Sequence, residues 1–102
     1  QENKKETITC GEIRMDKQSC QVFVKEREVQ LQNKQDEILR FLMEHKNIVW
    51  SRDALLNHIW GYDYMGIDRV VDNQIKKLRN ALGEEGKRIQ TVVGRGYKIS
   101  DT

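Results

Sequence analysis

The amino-acid sequence predicts an α+β fold in which short antiparallel strands come first, three helices follow, and a β-hairpin ends the chain. Apolar residues alternate with polar ones as far as Leu31, which is typical of half-buried strands. They then recur with a helical period between residues 33 and 82, and two short apolar runs flank a glycine-containing turn near the C-terminus. With 102 residues, the chain is long enough for one domain with a modest core.

Composition limits the classes of protein to which the chain can belong. Charged residues make up 33% of the sequence, the net charge is only +2, and no apolar run is long enough to span a membrane. This mildly basic balance permits nucleic-acid binding without requiring it, so the distribution of charge must decide. Cys10 and Cys20 lack the spacing of a metal or redox motif, and we expect reduced thiols on strands of a cytoplasmic protein. Opposed strands could still bring them close enough to oxidise in air.

The predicted strands follow a polar segment. Residues 1–7 are polar or charged, which predicts a linker or disordered terminus and places the folded domain at residues 8–102. Stretches rich in Ile, Val, Phe and Thr then predict three or four strands. The clearest alternation is at Val22, Val24, Val29 and Leu31, and the breaks fall at Gly11, residues 17–19 and residues 26–27.

Three helices are predicted from apolar stripes and from residues suited to helix ends. Asn33, Ser51 and Asp68 are suited to cap helix N-termini, and Gly61 is suited to end the second helix. The stripes are Ile38, Leu39, Leu42 and Met43 in the first helix and Leu55, Leu56 and Ile59 in the second. Residues 83–88 then predict a turn, and residues 89–100 predict two strands around the sequence Gly-Arg-Gly.

The third predicted helix, Asp68–Leu82, has two different sides. At about 100° per residue, one side is an apolar stripe that predicts burial in the core. This stripe consists of Val71, Ile75, Leu78 and Leu82. The opposite side contains no acidic residue and consists of Arg69, Val70, Asn73, Gln74, Lys77 and Asn80, with Lys76 and Arg79 at its edge.

This polar side has two interpretations. Any surface helix has a polar side opposite its apolar stripe, and periodicity alone favours simple solvation. A solvated side usually interleaves Glu with Lys, however, whereas carboxamides pair with adenine in the major groove and cations contact phosphate or guanine. We therefore predict nucleic-acid contact through this side. Asp72 lies off it, and we expect it to pair with Lys76 or Arg79.

The C-terminal hairpin adds a second basic element. Arg95 lies between two glycines at the predicted tip, and Tyr97 and Lys98 follow on the return strand. Glycines permit a tight turn and a close approach of the backbone to a ligand, and an arginine on such a tip suits a narrow minor groove. The alternative is a solvated turn, but two basic elements adjacent in sequence favour DNA contact.

Three ordered motifs resemble the OmpR/PhoB family of bacterial response regulators, and the resemblance covers the chain from about residue 8 to its end. The motifs are VWSRDALLNHIWG, DRVVDNQIKKLRNAL and IQTVVGRGYKI, at residues 49–61, 68–82 and 89–99. The resemblance implies a winged helix-turn-helix domain with an N-terminal four-stranded antiparallel sheet, three helices and a C-terminal hairpin wing. It also implies sequence-specific binding of double-stranded DNA by the effector domain of a two-component transcriptional regulator.

The resemblance assigns roles to individual residues. The third helix is implied to lie in the major groove, with Val70, Asn73 and Lys77 at base edges. Arg95 is implied to enter or border the minor groove. Contacts to the DNA backbone are implied for Trp60, Arg69, Gln74, Lys76, Arg79, Thr91 and Tyr97. For Trp60, the alternative of a half-buried anchor stays open.

Some positions depart from the family pattern. Gln32, Gln35 and Asp36 replace the usual Thr, Glu and aromatic residue of the motif L-T-x-x-E-F, and Asn73 and Gln74 replace the usual Val and His of V-D-V-H-I. The basic residue that often precedes the wing glycine is Val93 here, and the arginine follows it as Arg95. The base preference of a relative therefore cannot be transferred to this chain.

The resemblance also implies partners. Such effector domains follow a receiver domain that is phosphorylated on aspartate and is absent from this chain, and pairing would place two copies on tandem half-sites. The loop at residues 61–68 matches a segment that often touches RNA polymerase. We expect no cofactor, no metal and no enzymatic activity, because His45 and His58 lie on different helices without ligand spacing. The alternative function is a winged-helix protein-interaction module, whose binding would survive high salt.

Overall fold

A computed structural model describes residues 7–101, and in that range it contains a four-stranded sheet, three helices and a two-stranded hairpin. The strands of the sheet are β1 (Thr7–Cys10), β2 (Ile13–Asp16), β3 (Gln21–Val24) and β4 (Arg27–Val29). They are followed by α1 (Asn33–Glu44), α2 (Arg52–Ile59), α3 (Arg69–Leu82), a 3₁₀ helix (Gly83–Arg88), β5 (Ile89–Val92) and β6 (Gly96–Ile99). Thr7 begins β1, and the rest of the predicted linker, residues 1–6, lies outside the described residues. The predicted fold class is confirmed.

The N-terminal sheet is a simple antiparallel meander in the order β1-β2-β3-β4. Its alternation places one face in the core, where Met15 opposes Val22 and Val22 opposes Val29. Two predictions for this region are wrong. Leu31 lies beyond the end of β4, and Cys20 lies exposed in the turn before β3 rather than on a strand. The turn explains Cys20, because its backbone has a positive φ of 59°, which does not fit a strand.

The sheet closes against α1 and against the last residues of the domain. Ile38, Leu39, Leu42 and Met43 of α1 are at most 1% exposed, as their spacing predicted. At the far edge, the thiol of Cys10 donates a hydrogen bond to the carbonyl oxygen of Ser100 at 3.5 Å. The Nζ of Lys46 donates to the carbonyl oxygen of Thr9 at 2.9 Å. These contacts join β1 to the segment that follows α1 and to the residue that follows β6.

The ends of α2 match their predicted caps. The Oγ of Ser51 accepts the backbone N–H of Ala54 at 3.0 Å, which satisfies one free donor at the start of the helix. Gly61 follows the last turn with a φ of 104°, a conformation that favours glycine.

Of the other two predicted caps, Asn33 is wrong, and Asp68 holds the N-cap position of α3 without making the capping bond. Asn33 is the first residue inside α1, and Gln32 takes the cap position, where its backbone N–H donates to Oε1 of Gln35 at 3.1 Å. Asp68 precedes α3 with helical backbone angles and makes no capping hydrogen bond. Its carboxylate instead lies 3.7 Å from the guanidinium of Arg52.

α3 forms the centre of the C-terminal half. Val71, Ile75, Leu78 and Leu82 are each 0% exposed, so the predicted core stripe is confirmed. The predicted turn after α3 is a 3₁₀ helix. Among the described residues, no helix combines the length and the apolar character needed to cross a membrane.

The hairpin of β5 and β6 is attached to the chain just before α2. The backbone N–H of Trp50 donates to the carbonyl oxygen of Tyr97 at 2.8 Å, and the reciprocal bond measures 2.9 Å. Gly96 makes this approach possible, because a Cβ atom at this position would lie 2.0 Å from the carbonyl oxygen of Trp50. The wing is therefore held at its root, and its tip is left outside the core.

Candidate nucleic-acid interface

α3 presents three different surroundings to its side chains. At about 100° per residue, the sides next to the buried stripe are flanks, one facing the hairpin and the other facing α1. The flank toward the hairpin carries Asp72 and Arg79, and the flank toward α1 carries Gln74 and the partly buried Val70. The outward face carries Arg69, Asn73, Lys76, Lys77 and Asn80, and all five are exposed.

The outward face is a surface of available positive charge. The side chains of Arg69, Lys76 and Lys77 form no hydrogen bond or ion pair with any residue in the range 7–101. No acidic side chain interrupts this face, as the sequence predicted. Cations that have no internal partner keep their donors for a ligand, and their summed potential attracts a polyanion.

Both polar side chains of the flank toward the hairpin, Asp72 and Arg79, form hydrogen bonds within the protein. Oδ2 of Asp72 accepts a charged hydrogen bond from Nη1 of Arg52 at 2.8 Å, and Oδ1 accepts the hydroxyl of Tyr97 at 2.5 Å. The expectation that Asp72 would pair with Lys76 or Arg79 is therefore wrong. Its physical reason is position, because Asp72 faces α2 and β6, whose donors take both carboxylate oxygens.

Tyr97 lies at the centre of the junction that Asp72 forms between α3, α2 and β6. Its side chain is 9% exposed, and its hydroxyl is already committed to Asp72. Burial and the hydrogen bond to the Asp72 carboxylate raise the pKa of Tyr97 to about 12, since both disfavour the phenolate. The family resemblance implied that Tyr97 contacts the DNA backbone. In the structure, Tyr97 lies instead between α3 and β6.

Arg79 completes the same junction. Its Nε donates to the carbonyl oxygen of Ile89 at 2.9 Å, and its Nη2 donates to Oγ1 of Thr91 at 2.8 Å. Its guanidinium carbon also lies 5.7 Å from the ring centre of Tyr97. Three residues for which backbone contacts were implied, Arg79, Thr91 and Tyr97, are therefore joined to one another or to the wing.

The flank toward α1 contains a carboxamide pair and a nearby aromatic residue. Oε1 of Gln74 accepts a hydrogen bond from Nε2 of Gln35 at 3.3 Å. Trp60 caps the end of α2, is partly buried, and packs against the core. The Nζ of Lys34 lies 5.6 Å from the Trp60 ring centre and donates to the carbonyl oxygen of Ile59 at 2.9 Å.

The tip of the wing is open. Val93 is 90% exposed, Gly94 has a φ of 77°, and Arg95 is exposed without a side-chain partner among the described residues. A cleft of about 530 Å³ lies between this tip and the first turns of α2 and α3. Arg95 is therefore placed apart from α3, on the same side of the domain as the start of the helix.

Sequence reasoning did not predict the contacts of two residues of the site, Arg52 and Gln35. The bond from Arg52 to Asp72 spans 20 positions, so no local pattern predicts it. Gln35 is 6% exposed and lies three positions before Ile38, in line with the apolar stripe of α1. A polar residue at a stripe position is a signal that could have identified it.

Comparison with known proteins adds a family match. Residues 26–99 match the model of the family described as "Transcriptional regulatory protein, C terminal". The chain is 37% identical over 97 residues to the phosphate regulon transcriptional regulatory protein PhoB of Escherichia coli, covering 93% of this chain and 42% of PhoB. It is 39% identical over 98 residues to the response regulator ArlR of Staphylococcus aureus, covering 94% of this chain and 45% of ArlR.

A solved structure extends the match to three dimensions. The DNA-binding domain of RstA from Klebsiella pneumoniae, determined in complex with the RstA box, superposes with a TM-score of 0.84 at 34% identity. The match covers 95% of this chain and 99% of that domain. The chain spans less than half the length of PhoB and ArlR but nearly all of the isolated RstA domain.

Proposed function

Because the chain belongs to the OmpR/PhoB-type family of C-terminal domains of transcriptional regulatory proteins, we propose that it binds double-stranded DNA with sequence specificity as a two-component effector domain. One observation carries the proposal. The side chains of the cations on the outward face of α3 have no partner among the described residues, whereas Asp72, Gln74 and Arg79 on the flanks each form hydrogen bonds within the protein. A helix that is held by contacts along both flanks and keeps its outward donors available is suited to be a recognition helix.

α3 would lie in the major groove, with Asn73 and Lys77 at base edges and Val70 in apolar contact beside them. Arg69, Lys76 and Gln74 would contact phosphates and set the register of the helix. Arg95 would reach the minor groove from the wing tip. Four of these residues lie exposed on the outward face, which supports this arrangement: Arg69, Asn73, Lys76 and Lys77.

Arg79, Thr91 and Tyr97 would act chiefly by fixing the wing relative to α3. Their hydrogen-bonding groups are already used at the junction, so a direct phosphate contact would have to share them. Trp60 would approach phosphate only with the edge that its packing leaves accessible.

Further partners belong to the longer proteins that the chain resembles. We propose that a receiver domain precedes this domain, that phosphorylation pairs two copies on tandem half-sites, and that the protein works in the cytoplasm. Loop 61–68 would contact RNA polymerase, because Tyr62, Met65 and Ile67 are 83%, 94% and 70% exposed there.

Selection from a random duplex DNA library tests the proposal. We expect a short enriched motif, repeated about one helical turn apart, and affinity that falls steeply as salt rises. Salt-sensitive binding without an enriched motif would contradict sequence specificity. Absence of DNA binding, together with salt-resistant binding to a protein, would favour the alternative of a protein-interaction module.

A further inference from the structure

The carboxamide pair between α1 and α3 has a direction that the backbone fixes. A backbone N–H can only donate, and that of Gln32 donates to the side chain of Gln35 at 3.1 Å. The atom of Gln35 that receives it is therefore the oxygen, Oε1. Its amide nitrogen, Nε2, must then lie on the other branch of the carboxamide.

The Gln35 side chain is satisfied inside the protein. It is 6% exposed, and its Nε2 lies 3.3 Å from Oε1 of Gln74 and 3.5 Å from Oε1 of Gln32. These are two acceptors for its two hydrogens, and a buried amide that lost them would be left unpaired. Gln35 thus has one stable orientation, which offers an N–H donor to α3.

The orientation of Gln35 determines that of Gln74. Because Gln35 presents a donor, Gln74 must turn its oxygen toward α1, and its Nε2 has no partner among residues 7–101. Adenine is read by a carboxamide that both donates and accepts. A phosphate oxygen only accepts, so the free amide of Gln74 suits phosphate.

We propose that Gln35 is a positioning residue for DNA binding, which holds Gln74 with its amide donor available to a phosphate of the DNA backbone. This inference rests on the proposed DNA binding and adds one step to it. It makes Gln74 a residue that strengthens binding to every sequence, and it makes Asn73, the neighbouring carboxamide on the outward face, the candidate for adenine.

A double-mutant cycle tests the coupling. In Gln35→Glu, the carboxylate still accepts the N–H of Gln32 but can no longer donate to Gln74. Gln74 then turns its amide nitrogen toward α1, and its oxygen, which cannot donate to a phosphate, takes the outward position. We expect affinity for a short labelled duplex of mixed sequence to fall by about threefold to tenfold, the value of one hydrogen bond. In the Gln74→Ala background, the same change should have no further effect.

Asn33→Asp is the matched control for charge, because it adds the same negative charge in the same turn of α1 at an exposed position. Its small effect is subtracted from that of Gln35→Glu. An equal loss from Gln35→Glu in both backgrounds would overturn the proposal, since Gln35 would then act without Gln74.

Nuclear magnetic resonance of the unaltered domain gives a second test that does not depend on the folding of a variant. On saturation with DNA, the side-chain amide protons of Gln74 should shift and exchange more slowly with water, while those of Gln35 stay nearly unchanged. Unchanged Gln74 protons in a saturated complex would overturn the inference while leaving DNA binding intact. A domain that binds no DNA would instead refute the proposed function itself.

Discussion

Lys77 and Arg79 are two positions apart in α3, carry the same charge, and have opposite surroundings. Lys77 lies on the outward face without a partner among the described residues, whereas Arg79 donates to Ile89 and Thr91 of the wing. The difference arises because two residues along a helix correspond to about 200° of rotation around it. The position of a cation around α3 therefore decides whether its donors stay available or are used within the domain.

The largest predicted loss of stability is at Asp72, in the junction between α3, α2 and β6. Asp72→Ala leaves the buried hydroxyl of Tyr97 without its acceptor, and we expect the free energy of unfolding in denaturant to fall by up to about 3 kcal/mol. DNA affinity should fall as well, because the wing loses one of its links to α3. Asn73→Ala is the matched control on the outward face and should change stability by less than about 0.5 kcal/mol. Equal stabilities of the two variants would contradict the distinction between flank and outward face.

On the outward face, a change at Lys77 should lower DNA affinity without lowering the free energy of unfolding. Lys77→Ala removes the donor that we propose to lie at a base edge. We expect a loss of about 2 kcal/mol in binding to the selected motif, with a smaller loss on unrelated DNA. Competition titrations with both duplexes measure the difference, and Lys87→Ala, an exposed lysine in the 3₁₀ helix, is the control. The same loss on all sequences would assign Lys77 to phosphate instead.

The hydroxyl of Tyr97 offers a smaller change at the junction. Tyr97→Phe should lower the free energy of unfolding by about 1 kcal/mol at neutral pH, since one hydrogen bond is lost. The folded-state pKa of about 12 lies above the ordinary value near 10, so the protonated hydroxyl is the stabilising form. The stability difference from the unaltered domain should therefore be complete below about pH 10 and disappear as pH rises through 12. A difference that is constant up to that pH would show that the hydroxyl does not bond Asp72.

A change at Arg95 should have the smallest effect on DNA binding, and it tests whether the wing tip contacts DNA. Arg95→Ala removes one exposed cation, and the slope of log affinity against log salt should decrease by about 0.9. Binding titrations at several salt concentrations measure the slope, and unfolding should be unaffected. An unchanged slope would remove Arg95 from the contacts with phosphate or groove.

The elements of the fold were predictable because their signals are local. The stripe of α3 and the alternation in the sheet follow directly from period, and Ser51 caps α2 by a bond within three residues. Asn33 does not cap α1 and Asp68 makes no capping bond, because several polar residues compete at a helix start and a neighbouring side chain can claim the carboxylate.

The site was only partly predictable because its decisive bonds join distant positions. Periodicity separated the buried stripe of α3 from the rest, but not the flanks from the outward face, which depends on where the hairpin and α1 lie. Gln35 and Gln74 each stood out as departures from the family motif. Their contact spans 39 positions, so only the fold shows that the two departures meet.

The hydrogen bond between Cys10 and Ser100, 90 positions apart, has a consequence for synthesis on the ribosome. β1 is among the first parts of this domain to emerge, yet the carbonyl oxygen that accepts the thiol of Cys10 is made only after β6. Until Ser100 has left the exit tunnel, Cys10 lacks this hydrogen bond, and the contact between the two ends of the domain stays incomplete. Any pause in translation after β5 would prolong the period in which this contact is missing.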